Sequence, residues 1–284
     1  MYADDMNVSF AASDMLGLET QINAELKSNN LWLRANKLSV NVAKTEFMVI
    51  SLCQKLCSLN NKTINVNVED VKINQTDQSK ALGLNIDKNL SWKEHIHAVS
   101  KKVASSIGAL KRIRPFISMH TAIKIYKGLT ETHFDYCRFV WDGLSQQLSK
   151  KLQKLQNRAA RAITVSSYNM NSSYLLNSLS WDNLSVRRIK QKANIMYKCV
   201  NKLAPNYLCN MFTPRALSFD LRDASQKLYL PKPRTNYLKC SFSYSGASLW
   251  NDLPEDICDT KSLCNFKRRI DKWLSVSDSH TANM

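Results

Sequence analysis

Tyr2-Ala3-Asp4-Asp5, followed directly by Val8-Ser9-Phe10-Ala11-Ala12, is the stretch from which the rest of the chain is read. Adjacent carboxylates repel each other, so a buried or half-buried pair is costly unless a cation sits beside it. One β-turn would place both at the tip of a hairpin, where hard oxygen ligands can hold Mg²⁺. Two-metal phosphoryl chemistry uses such a cluster, with metals roughly 3.5–4 Å apart clamping the attacking and leaving oxygens. Taken alone, the tetrapeptide better suits an exposed turn or a helix start, where paired Asp residues are simply solvated, and it is the sequence that follows which reverses this.

Charge separates the chain into unlike parts. The 284 residues carry a net charge of +17, are 44% hydrophobic and include only 6 Gly and 6 Pro, a globular composition with a polyanion as its natural partner. Residues 1–90 are almost neutral, at −1, whereas residues 91–284 carry +18. A catalytic platform followed by a region that grips a phosphate backbone would have this asymmetry. The eight Cys show no Cys-x-x-Cys spacing and read as reduced thiols of an intracellular protein. The Cys53-x-x-x-Cys57 pair has no second pair to complete a metal site. No apolar run is long enough for a membrane span, and the acidic start is unlike a signal peptide.

Periodicity predicts a helix from about 14 to 35, with Ser13 as cap and Leu18, Ile22, Leu26 and Leu33 inward, ending near Asn36. Thr45–Ile50 reads as a strand with Phe47 and Val49 on one face, and 53–62 as a loop. Ile64, Val66 and Val68 alternate with Asn65 and Asn67, a half-buried strand. A turn at Glu69-Asp70 returns through Val71-Lys72-Ile73, and Ala81–Ile86 is a further apolar strand. From Trp92 the period becomes helical: Trp92, Ile96, Val99, Val103, Ile107 and Leu110 share a face until Pro115.

Further helices are predicted over about 119–130, 146–164 and 183–203. The second points Leu148, Leu152, Leu155, Ala159 and Ile163 inward and carries Lys150, Lys151, Lys154, Arg158 and Arg161 on its other faces. The third has Leu184, Ile189, Ala193, Met196, Val200 and Leu203 at core spacing. Residues 205–240 hold four Pro and read as an irregular linker. A basic helix over about 262–274, with Phe266, Ile270, Trp273 and Leu274 inward, is followed by a frayed tail.

This order of elements resembles the later half of a polymerase palm followed by a thumb, and the residues sharpen the resemblance. Tyr2-Ala3-Asp4-Asp5 is similar to the catalytic box of reverse transcriptases. Trp32-Leu33, Asn36-Lys37-Leu38-Ser39-Val40-Asn41 and Lys44-Thr45-Glu46-Phe47-Met48 resemble the palm motif that follows. Leu82-Gly83-Leu84, Asp87, Leu90-Ser91-Trp92 and His95-Ile96 resemble the block near the primer terminus. His133-Phe134-Asp135-Tyr136-Cys137 with Val140-Trp141, Leu152–Arg161, and Leu249–Pro254 with Phe266-Lys267 resemble later landmarks. The family is that of the reverse transcriptases of non-long-terminal-repeat retrotransposons of the jockey- and CR1-like sort, and the resemblance runs over about residues 1–275.

The resemblance implies an α+β fold: a partial palm over 1–91 (a short antiparallel sheet plus a helix), a helical thumb-like basic region over 92–204, and an irregular linker with a basic C-terminal helix over 205–284. It implies RNA-directed DNA synthesis, with an RNA template and a DNA primer or their hybrid duplex as partners, no membrane, and action in the nucleus. Asp4 and Asp5 would be the metal ligands and Mg²⁺ the cofactor. Tyr2 would support the hairpin against the primer end. Lys44 would lie near the leaving pyrophosphate, unless it is a solvated loop lysine. Trp92 would hold the primer strand, unless it is a core aromatic at a helix start. Lys150, Lys151, Lys154, Arg158 and Arg161 would contact phosphates, unless they are merely a solvated face. Full-length relatives carry fingers and another catalytic Asp ahead of the hairpin, whereas Met1 directly precedes Tyr2 here. The expectation is therefore a truncated polymerase, inactive alone. A non-catalytic nucleic-acid-binding remnant and a decayed pseudogene product are the alternatives.

Overall fold

The computed structural model describes residues 6–52, 54, 64–69, 71–215 and 227–281, with side chains described as far as Ser275. Tyr2, Asp4, Asp5 and nearly all of the 53–62 segment lie outside the described residues. The chain is α+β and divides into two compact units, residues 1–98 and 99–284.

In the first unit the helix Met15–Ala35 forms as expected, but its cap is Asp14, not Ser13: Asp14 Oδ1 accepts from Gly17 N at 2.8 Å. Met15, Leu18, Ile22 and Leu26 pack on Ile64, Val66, Val68 and Ile73. Asn23 locks this packing in register, donating to the Asn65 carbonyl at 2.8 Å and accepting from Asn67 N at 3.0 Å. Those two bonds satisfy an edge-strand backbone that alternation alone left open.

The strands are shorter and differently paired than the expected antiparallel sheet. β1 (Glu46–Phe47) pairs in parallel with β4 (Asn74–Gln75), and β2 (Asn67–Val68) pairs antiparallel with β3 (Val71–Lys72). The Ala81–Ile86 run is not one strand. β5 (Gln78–Ala81) turns at Leu82-Gly83 into β6 (Leu84–Asp87). Both turn residues have positive φ, 47° and 82°, the geometry of a two-residue hairpin turn matched to strand twist. Leu82 hid the turn from sequence because an apolar residue rarely occupies that conformation.

The helix Lys93–Ile113 follows, with Trp92, Ile96, Val99, Val103, Ile107 and Leu110 all buried, and Arg114-Pro115-Phe116 ends it. In the second unit the Met119–Tyr126 helix runs on through a π-helical turn, Lys127–Glu131, into Thr132–Asp135, beyond the expected end near 130. Gln146–Thr164 matches its expectation, and Leu184–Val200 ends earlier, leaving Leu203 64% exposed instead of inward.

Residues 205–240 are not simply a linker. They contain the helices Asn206–Cys209 and Asn236–Cys240 and a bridge from Pro214 to buried Leu228. Asn251 fastens that segment, accepting from Leu228 N at 2.8 Å and donating to its carbonyl at 2.9 Å. The helices Phe242–Asp252 and Leu263–Thr281 join Leu184–Val200 in one core of Ala193, Met196, Tyr197, Trp250, Phe266 and Ile270. The last helix thus continues past residue 274, where fraying was expected. Residues 205–284 share this core with the preceding helix instead of standing as a separate region.

Val165 ends the Gln146–Thr164 helix with φ 54° and ψ 36°, a left-handed conformation that a β-branched residue adopts only under strain. Its side chain is 72% exposed, so little packing is lost by trimming it. Val165→Gly is expected to raise unfolding stability by about 1 kcal/mol in denaturant titration. Phe266→Ala, at a fully buried site beside Tyr197 and Trp250, is expected to lower it by roughly 3–5 kcal/mol.

Candidate nucleic-acid interface

In the first unit, the motif residues around Lys44 make a tight turn. Asn41 accepts from Lys44 N through its side chain at 3.3 Å and from Thr45 Oγ1 through its carbonyl at 2.9 Å. Lys44 is left exposed at the entry to β1. Trp92 behaves differently. Its N–H donates to Asp87 Oδ1 at 3.0 Å while Ser91 N donates to Oδ2 at 3.0 Å. That carboxylate fixes the turn before the Lys93–Ile113 helix, a structural use of Asp87 that the motif spacing did not reveal. The Trp92 ring is only 8% exposed and lies edge-on to His95 at 6.3 Å, so it fills the core and offers no open face to a base.

In the second unit the helix Gln146–Thr164 divides cleanly. Ser145 caps it, accepting from Leu148 N. Leu152, Gln156, Ala159, Ala160, Ala162 and Ile163 are buried. Gln156 Nε2 donates to the Asp182 carbonyl at 3.0 Å, and Gln153 Oε1 accepts from Leu184 N at 2.9 Å. Gln153 therefore caps the next long helix, whose own Asn183 makes no side-chain cap. This accounts for both Gln residues of the Leu152–Arg161 landmark.

The cations lie on the opposite side. At 100° per residue, Lys150, Lys151, Lys154, Arg158 and Arg161 fall within an arc of about 100°, over a rise of about 16 Å. That rise spans nearly five phosphate intervals of one DNA strand, taking about 3.4 Å each. Lys150, Lys151, Lys154 and Arg158 are exposed, and no Asp or Glu occurs from Gly143 to Trp181. Arg161 is half-buried, donating to the Met170 carbonyl at 3.2 Å with its guanidinium over the Tyr168 ring.

The inward-facing cations of the same unit are neutralised. Arg187 bridges Glu131 and Asp135, the latter at 2.8 Å. Arg138 pairs with Asp135 at 2.9 Å and with Gln191. Arg188 and Lys192 share Asp142, and Lys190 joins Asp182 at 2.6 Å to Asp271 at 2.8 Å. Burial pushes the Asp135 carboxyl above its usual range, outweighing the attraction of Arg138 and Arg187. Burial alone would lower Arg187, but its bond to Glu131 and the Asp135 charge turn the shift upward. Burial likewise pushes the Cys199 and Cys258 thiols up to about 11, in keeping with inert, reduced cysteines.

The expected site residues are thus split. Lys44 and Trp92 lie in the first unit, the five cations form one stripe in the second, and Tyr2, Asp4 and Asp5 lie outside the described residues. Among the described residues no group of three or more His, Cys, Asp or Glu is placed to hold a metal. Nor is any helix among them long and apolar enough to cross a membrane.

Comparison with known proteins adds to this geometry. Over 166 residues the chain is 25% identical to the "Probable RNA-directed DNA polymerase from transposon BS" of Drosophila melanogaster, covering 57% of this chain and 18% of that protein. Over 199 residues it is 21% identical to the "Probable RNA-directed DNA polymerase from transposon X-element" of the same organism, covering 66% and 21%. The chain is similar to the RNA-directed DNA polymerases of transposons. It spans about a fifth of the length of these curated relatives. No family model matches it, and neither does any solved structure. The similarity to transposon polymerases agrees with the family resemblance carried by the motifs.

Replacing Arg187 by Gln would leave Glu131 and Asp135 as half-buried neighbours without their shared cation. A loss of roughly 1–3 kcal/mol at pH 8 is expected. Without the guanidinium, which pulls the Asp135 carboxyl down, its folded-state pKa rises further above the unfolded value. Stability then falls as pH rises through the raised Asp135 value, so the deficit against wild type should be smaller at pH 5 than at pH 8 in paired denaturation curves.

Proposed function

We propose that this chain serves RNA-templated DNA synthesis by a mobile element, and that the Gln146–Thr164 helix grips the backbone of the template–primer duplex. The observation that carries the reading is the stripe of Lys150, Lys151, Lys154, Arg158 and Arg161 in a segment devoid of carboxylates. The similarity to transposon RNA-directed DNA polymerases supplies the polymer. Phosphate contacts of this kind give affinity and register without reading sequence, which suits a protein that must move along its substrate.

In this reading Asp4 and Asp5 hold Mg²⁺, for which adjacent carboxylates are suitable hard-oxygen donors. When bound, the metal would offset charge on the incoming triphosphate and favour ionisation of the primer hydroxyl. Tyr2 backs the carboxylates, and Lys44 stands exposed on its Asn41-capped turn, able to meet a pyrophosphate oxygen. Trp92 acts indirectly, fixing the Asp87–Lys93 turn that carries the primer-side block. A second reading, a binding module without chemistry, rests on the same stripe, since Lys150, Lys151, Lys154, Arg158 and Arg161 could hold a phosphate backbone without any metal.

Two measurements separate these readings. In fluorescence anisotropy with an RNA–DNA hybrid, the triple variant K150Q/K151Q/K154Q should weaken binding, and the slope of log K against log[salt] should fall by about 2–3. An unchanged slope would sink the grip. In primer extension with Mg²⁺, Asp4→Ala should abolish any synthesis by the wild type and leave hybrid affinity intact. Chelation should stop synthesis in the same way without releasing the hybrid. Binding with no extension by either protein would establish the module reading.

A further inference from the structure

At the carboxyl end of the Gln146–Thr164 helix the basic stripe runs into two aromatic rings that the core does not use. Tyr168 is 87% exposed and Phe116 is 86% exposed. Solvent-facing aromatics of that degree have no packing role in the fold, yet both are held in place by Arg side chains. Arg161 donates to the Met170 carbonyl at 3.2 Å and lays its guanidinium 5.6 Å from the Tyr168 ring centroid. One ring face is thereby turned toward a cation and the other toward solvent. Arg114 donates through Nε to the Ile163 carbonyl at 2.6 Å and through Nη1 to the Ile117 carbonyl at 2.8 Å, binding the loop that bears Phe116 to the last turn of the same helix.

The charge around these rings points to one class of partner. No Asp or Glu occurs from His95 to Thr130, the segment that carries Phe116, or from Gly143 to Trp181, the segment that carries Tyr168. A helix carboxyl end ordinarily repels phosphate through its exposed carbonyls. Here Arg114 and Arg161 neutralise that end, so the stripe stays hospitable to an anion along its whole length. Exposed aromatics interleaved with cations are how proteins hold unpaired nucleic acid, because every base offers a π-face whatever its identity. Paired bases are already stacked on one another and have no face to give.

We infer that this end of the helix is a stacking site for a single-stranded stretch of nucleic acid, with bases on Tyr168 and Phe116 and the adjoining phosphates on Arg158 and Lys154. The inference rests on the proposed nucleic-acid grip and goes beyond it. The basic stripe holds backbone of either form, and the aromatic end selects the unpaired strand beside the duplex.

The test uses the full chain and fluorescein-labelled oligonucleotides, one single-stranded and one a blunt duplex of equal length. Tyr168→Leu and Phe116→Leu keep apolar bulk but remove the π-face. Each should weaken single-strand binding about 5- to 150-fold and leave duplex binding within about twofold. Tyr168→Phe, which retains the ring, should bind the single strand like wild type. Circular dichroism melts check that each variant is folded, which exposed positions should allow. If the Leu variants bind the single strand as tightly as wild type while K150Q/K151Q/K154Q weakens it, the stacking site is overturned and the grip stands. Equal losses on both substrates also overturn it. If wild type binds neither substrate, the grip itself fails. If it then self-associates in a way that Phe116→Leu abolishes, the rings serve a protein contact instead.

Discussion

Arg187 lies half-buried between Glu131 and Asp135, among helices whose other Lys and Arg are either paired with carboxylates or turned outward. The sharing-out of charge in the second unit follows from that arrangement. The Leu184–Val200 helix carries Arg187, Arg188, Lys190 and Lys192 besides the exposed Lys198, and these four find carboxylates: Glu131, Asp135, Asp142, Asp182 and Asp271. A half-buried guanidinium left alone would carry a large desolvation cost, so Glu131, Asp135 and Asp142 are committed to these pairs. They are then not available to the outer helix, and its cations stay uncompensated. Much of the positive charge of residues 91–284 therefore stands on the outer faces of its helices. One dense part of it is the stripe Lys150–Arg161, where no carboxylate intervenes.

The π-helical turn Lys127–Glu131 belongs to the same constraint. Inserting it shifts the helical phase, so that Glu131 and Asp135 both meet Arg187. Asp135 then also receives Arg138 from the segment that follows. Phe134 beside it is buried, and Trp141 closes the segment by donating to the Tyr136 carbonyl at 3.0 Å. The His133–Trp141 landmark thus describes one packing unit: an apolar anchor, a shared carboxylate, a cation and an indole.

What could be read from the chain depended on whether a signal was local. The helix faces headed by Leu18, Trp92, Leu152 and Phe266 follow from period alone, because burial of an amphipathic stripe needs no knowledge of its partner. The hairpin at Leu82-Gly83 was not legible, because a leucine in a left-handed turn carries no turn signature. The parallel pairing of β1 with β4 was illegible for another reason: strands of two residues have no alternation to count. Trp92 shows the limit for function. Its place in the motif suggested a primer contact, while its depth depends on Asp87 and His95, which only the folded chain brings against it. Tyr168 and Phe116 escaped for the opposite reason, since an exposed aromatic gives no periodic signal and exposure is visible only in three dimensions.

The blocks that carry the family resemblance are, in the fold, mostly packing and capping residues. Gln153 caps a helix, Gln156 satisfies a buried carbonyl, Asn251 pairs with Leu228, and Trp250 stacks against Phe266. None of these does chemistry, yet each fixes where a cation can stand. If Gln153 and Gln156 did not face inward, Lys154 and Arg158, one and two positions beyond them, would not share an outer arc. A motif of this sort records a scaffold, and the proposed grip is legible from it only by subtraction: the residues left over once the interior is satisfied are the ones turned outward. The same subtraction singles out the rings at the helix end, which neither the core nor the ion pairs account for.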